Sequence, residues 1–170
     1  MFIVEPNLNR EMKIVLRGLK RSLGHVPPHF ELYATLHPKR FKMFLEEIIY
    51  LSTHESINPD FFAFTRFYIA AQENFTYCYV FNKELLLGKG YTQEDLEAFE
   101  NSADKLPLDK KHQVLFVSVL TAIESPKDFD ERSIEKLKVL GWSDSDIFDA
   151  IDHGAFLFKF SKILKAYAKA

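Results

Sequence analysis

The 170-residue sequence holds a single cysteine, Cys78. That scarcity excludes an internal disulfide and any cysteine-only metal site, and it fits a reducing compartment, so the expected location is the cytoplasm. No stretch approaches the roughly 18 uncharged apolar residues needed to span a bilayer. The opening MFIVEPNLNREMK also lacks the basic start and sustained apolar run of a signal peptide. A dominant charge is missing as well. With 22 basic and 24 acidic residues the net charge is −2, which argues against nucleic acid or an anionic membrane surface as partner. Glycine is scarce, at six residues, and apolar positions recur at spacings of three and four instead of alternating. Both features exclude a sheet-rich fold and predict an all-α protein.

What is abundant is apolar and aromatic: 47% of the chain is hydrophobic and 17 residues are Phe. The length and apolar content suffice for one domain with a real core. The excess of Phe hints at buried subunit contacts.

Punctuation along the chain marks the helices. Asn7 to Leu23 carries Met12, Val15, Leu16 and Leu19 on one stripe and ends at Gly24, a suitable left-handed terminator. His25-Val-Pro-Pro-His29 interrupts helix formation, and a short helical turn is expected over Phe30 to Leu36. Pro38 opens an amphipathic helix to about His54, and Asn58-Pro59 opens the next. The stretch from Asp60 to Leu87 would be one long helix but for Gln72-Glu73-Asn74, whose polar character predicts a break. A second piece should start near Asn74 to Thr76, with Asn or Thr as cap, and end at Gly88 to Gly90. Thr92-Gln-Glu-Asp95 has the pattern of a capping box. Pro107 is expected to start a helix bearing Leu115, Phe116, Val119, Leu120 and Ile123, ended at Ser125-Pro126. Phe129 to Leu140 follows, stopped by Gly141, and Ser143-Asp-Ser-Asp146 caps the last helix. That helix is apolar on more than one face, which in a small protein points to a subunit interface.

Three of these segments, taken in order, resemble the alkylhydroperoxidase D (AhpD)-like, carboxymuconolactone decarboxylase superfamily. HPKRFKMFLEEIIYLSTHESINPDF is similar to its entry helix, ENFTYCYVFNKELLLGKGYTQEDLEAF to its central motif, and GWSDSDIFDAIDHGAFLFKFSKILKAYA to its closing segment. The resemblance covers about residues 37 to 168. It implies an AhpD-like helical bundle of about seven to eight helices, one domain over 1–170 with residues 1–36 as a less typical N-terminal extension. It further implies a homo-oligomer, a trimer or hexamer.

The redox branch of that family reads roughly N-x-C-x-x-C-x-x-x-H-x-x-x-A-x-x-x-G. On this frame Cys78 takes the place of the second, peroxide-attacking cysteine. Phe75 stands where the first belongs, Asn82 replaces the histidine, and Gly90 keeps the closing glycine. The glutamate of the proton relay falls on Ala63. The degenerate motif thus implies loss of the two-cysteine peroxidase reaction, since the attacking thiolate needs both a base and a resolving thiol. What remains for Cys78 is either a one-cysteine thiol redox role, helped by a helix N-terminus if it lies in a first turn, or that of a small buried hydrophobe.

Other chemistry-bearing residues are few. Arg66 lies on a mostly apolar helix and needs a partner, for which Glu73, seven residues on, is a candidate. Arg66, Glu73, Phe75, Tyr77 and Asn82 are the expected pocket and motif positions beside Cys78. His25 and His29 read as a solvated loop, because the intervening prolines keep both imidazoles from one metal. His153 reads as a satisfied buried or interface histidine, and His37, His54 and His112 as polar residues at helix edges. No cofactor and no metal site are expected. Three functions therefore stand open: an AhpD-like antioxidant enzyme with an altered one-cysteine site acting on peroxide, a non-catalytic oligomeric small-molecule-binding or scaffold protein, and, behind them, a decarboxylase-type lyase.

Overall fold

A computed structural model describes residues 2–169. Among them are nine α-helices, one short 3-10 turn and no strand. The all-α expectation holds, while the count of seven to eight helices falls short. The difference arises around the double proline. Pro28 takes the first position of a complete nine-residue helix, where a missing N–H costs nothing, so the turn expected from Phe30 begins two residues earlier.

The chain divides into two compact units, one running to Thr53 and resumed from Lys162, the other spanning His54–Ser161. The first contains α1 (Arg10–Leu23), α2 (Pro28–Leu36) and α3 (Pro38–Ser52). Asn9 caps α1 through its side chain and Gly24 ends it at φ 77°, close to the expected bounds. Met12 and Leu16 from its predicted stripe pack with Phe30, Ala34 and Phe41 into this unit's core. His29, expected in a solvated loop, is instead buried, its ring edge-on to Phe30 and near Phe44. The amide of Ile3 donates to the carbonyl of Tyr167, and Phe2 bridges Ala168.

The second unit holds α4 (Pro59–Gln72), α5 (Thr76–Gly88), α6 (Gln93–Asn101), α7 (Lys110–Glu124), α8 (Glu131–Val139) and the start of α9 (Asp144–Tyr167). Asn58 and Thr92 cap α4 and α6 as expected, Thr92 with a complete capping box. Ser143 and Asp146 make the same reciprocal pair at the start of α9. α7 begins at Lys110 and not at Pro107, because the Asp109 carboxylate supplies the cap that proline cannot. Six of the phenylalanines, Phe61, Phe62, Phe64, Phe67, Phe99 and Phe116, fill this unit's core at no more than 1% exposure. Their rings meet mostly edge to face, the arrangement favoured by the aromatic quadrupole.

The junction of α4 and α5 positions the candidate site. Asn74 adopts φ 50°, the left-handed region that Asn tolerates better than most side chains. Its amide donates to the Ala71 carbonyl and that of Phe75 to Ala70, a closing pattern that ends α4. α5 restarts at the next residue, so the break falls where expected. Its agent differs, because Asn74 terminates α4 where a cap for α5 was expected, and Phe75, the residue preceding α5, makes no side-chain cap.

Candidate functional site

Cys78 occupies the third position of α5. The first turn of a helix favours a thiolate, but Cys78 is only 4% exposed. Burial pushes its pKa up to about 12, and the Arg66 cation offsets this only in part. The thiol is therefore protonated at neutral pH.

One turn further along α5, the buried side chain of Asn82 lies on the same face as Cys78. Its amide nitrogen donates to the Cys78 carbonyl (2.8 Å), and its oxygen accepts from Nε of Arg66 on α4 (2.9 Å). Nη1 of Arg66 lies 3.2 Å from Nε2 of His153 on α9. Three helices thus bring Arg66, Asn82 and His153 together beside Cys78. Glu73, the partner expected for Arg66, instead forms the C-cap of α4. Phe75 is buried, and Tyr77 is half-buried with its ring 6.2 Å from that of Phe75.

The protonation of this group follows from its contacts. Nε2 of His153 also lies 3.3 Å from the Phe62 carbonyl. A guanidinium only donates, so accepting from Arg66 and donating to Phe62 are mutually exclusive at one ring nitrogen. The shorter, charge-assisted contact assigns Nε2 as acceptor and puts the proton on Nδ1. His153 stays neutral, because burial first and the Arg66 charge second pull its pKa down to about 3. Arg66 itself is lowered by burial to about 10 and remains a cation. Both of its bonded partners are neutral, and none of its partners among the described residues is a carboxylate.

His153 is buried as expected and bonded through Nε2, while its Nδ1 has no hydrogen-bond partner among the described residues. Two further histidines exceed the role of edge residues. His54 accepts backbone N–H bonds from Ser56 and Ile57 at Nδ1, which leaves Nε2 to donate to Asp149 (3.3 Å). His112 accepts from the Asn58 amide at Nε2, fastening the start of α4 to α7, and pairs with Asp109 through Nδ1 (2.8 Å). Their signal in the sequence was the proximity of Asp109 to His112 and of Asp146 and Asp149 to one another. Only the fold brings His54 to the latter pair. Among the described residues no cluster of three or more His, Cys, Asp or Glu side chains has the arrangement of a metal site, and no helix is long and apolar enough to cross a membrane.

Comparison of the backbone with solved structures decides the architecture. An uncharacterized peroxidase-related protein from Silicibacter sp. TM1040 superposes with a TM-score of 0.84 at 17% identity, over 99% of this chain and 91% of that one. A second structure, an AhpD core described as an uncharacterized peroxidase-related protein from Ralstonia eutropha JMP134, matches with a TM-score of 0.79 at 16% identity, over 94% of this chain and 84% of that one. The fold is AhpD-like. No protein-family model and no curated protein matches the sequence. Beside Cys78, Arg66, Asn82 and His153 come together, and none of these three is a thiol or a carboxylate.

Proposed function

We propose that this AhpD-like protein does not run the two-cysteine peroxidase reaction and serves as a non-catalytic small-molecule-binding protein. The observation that carries this reading is the state of Cys78: 4% exposed, with its pKa at about 12 and Phe75 where a resolving thiol would stand. Attack on peroxide needs an exposed thiolate, and regeneration needs a second thiol. Asn82 takes up no proton and serves as a brace between the Cys78 carbonyl and Arg66. The one-cysteine redox reading draws on the nearness of the Arg66 cation, yet that charge is outweighed by burial. The lyase reading lacks the histidine at the Asn82 position.

The test is consumption of hydrogen peroxide and an organic hydroperoxide with dithiothreitol as reductant. Wild type and Cys78→Ser should give the same background rate; turnover that disappears in Cys78→Ser would return the protein to the redox enzymes. We also propose that the protein acts as a homo-oligomer, a trimer or hexamer. The exposed Met43, Ile49 and Tyr50 along α3, and Phe148 on α9, support self-association.

A further inference from the structure

Three consecutive backbone amides just ahead of α4 donate to imidazole nitrogens. Ser56 and Ile57 donate to Nδ1 of His54 (3.2 and 3.0 Å), and Asn58 donates to Nε2 of His112 (3.1 Å). The same two rings pack against the first turn of α4, with Phe62 at 5.9 Å from His54 and Phe61 at 6.1 Å from His112 between ring centres. Among residues 55–59 only Ile57 is buried, so the entry to α4 is fastened chiefly by these bonds and that side chain.

An imidazole nitrogen differs from a carbonyl oxygen as an acceptor. It can take up a proton, and an imidazolium has no lone pair left for an N–H. Imidazole is also the side chain that ordinarily changes charge between about pH 5 and 8. On its far side each ring meets a carboxylate. Nε2 of His54 faces two from α9, Asp149 at 3.3 Å and Asp146 at 3.8 Å, and Nδ1 of His112 faces the α7 cap Asp109 at 2.8 Å. Burial acts to raise the pKa of Asp146 and of Asp109, but hydrogen bonds from Ser143 and from the His112 amide outweigh it and hold both below the usual carboxylate range. Each ring therefore has an anion ready to pair with it once charged. The two histidine side chains are 6% exposed, while Asp149 is 19% and Asp109 59% exposed, so solvent reaches each ring by way of its carboxylate. The remaining neighbours are mostly uncharged. Phe61 and Phe62 are apolar, and Trp142, edge-on to His112 at 4.9 Å, carries the Lys111 ammonium over its own ring.

We propose that His54 and His112 form a pH-operated latch on residues 56–58. With both rings neutral the three amides are held. A protonated ring keeps its carboxylate and loses the amides, so acid loosens the segment and the first turn of α4. The proton comes from solvent, no covalent bond changes, and the latch needs neither a ligand nor Cys78.

The test is amide hydrogen exchange of the full chain at about pH 7.5 and about pH 5, corrected for the intrinsic pH dependence of exchange. The comparison is with the double variant His54→Asn, His112→Gln, in which an amide oxygen stands near the place of each accepting nitrogen and takes up no proton. Protection of Ser56, Ile57 and Asn58 should fall on acidification at least about tenfold more in the wild type than in the variant. Both chains keep His153, so its effect on stability cancels. If the variant does not fold, the imidazole ¹⁵N resonances of the wild type serve instead, and His54 and His112 should titrate at the pH where the three amides lose protection. An equal change in wild type and folded variant overturns the latch. So do rings that titrate while the three amides stay protected.

Discussion

A thiol in the first turn of a helix and beside an arginine experiences two influences that favour the thiolate, opposed here by the loss of water around it. For Cys78 the loss of water is the larger, and its pKa rises to about 12. Alkylation of native Cys78 at pH 8 should therefore be on the order of 10³-fold slower than for an exposed thiol, and denaturant should abolish the difference. Native labelling at the exposed rate would contradict the burial.

His153 gives a second residue-scale prediction. Its folded pKa of about 3 lies below the ordinary 6.5, so between those values the unfolded chain binds a proton that the folded chain refuses. Stability attached to this residue is complete above about pH 6.5 and declines as pH falls towards 3, by up to about 1.4 kcal/mol per pH unit. Urea unfolding of wild type and His153→Gln at pH 7 and pH 5 isolates the effect. The wild type should lose about 2 kcal/mol more than the variant on acidification; equal losses would mean that His153 is not buried as a neutral base.

At the scale of elements, the frame around the site depends on the tight closure of α4 before α5 starts. Asn74 sits at φ 50°, where a β-branched side chain is strained. Asn74→Val should destabilise the protein by about 1–2 kcal/mol, while Asn74→Gly should be near neutral, both read from denaturant midpoints. An indifferent Asn74→Val would show that the left-handed residue is dispensable. The break itself was legible, because Gln72-Glu73-Asn74 interrupts an apolar run. Which residue closes α4 was not, since Asn is favoured both as an N-cap and in the left-handed region, and local sequence does not separate the two. The start of α7 was missed for a related reason: Pro107 is a permissible first residue, but the Asp109 carboxylate is the group that satisfies the His112 amide.

For the whole molecule, the AhpD-like frame was readable from three ordered segments, and the solved structures bear it out as fold. Assembly is a separate matter. Light scattering should return three or six times the 19.8 kDa chain mass; a monomer would remove the proposed interface and leave Met43, Ile49, Tyr50 and Phe148 as scattered exposed apolar residues.

The sequence by itself determined the helical class, most helix ends and the presence of a single cysteine. These depend on local periodicity, on caps and glycines, and on composition. Arg66 stood out as a charge on an apolar helix in need of a partner, but the partner named for it was Glu73. Only the tertiary structure decided that Asn82 and His153 hold it instead, that the side chain of His54 meets Asp149, and that Nδ1 of His153 has no hydrogen-bond partner among the described residues. Each of those pairings joins residues on different helices or answers to burial. Both are properties of packing, and helical spacing along one segment carries no record of them.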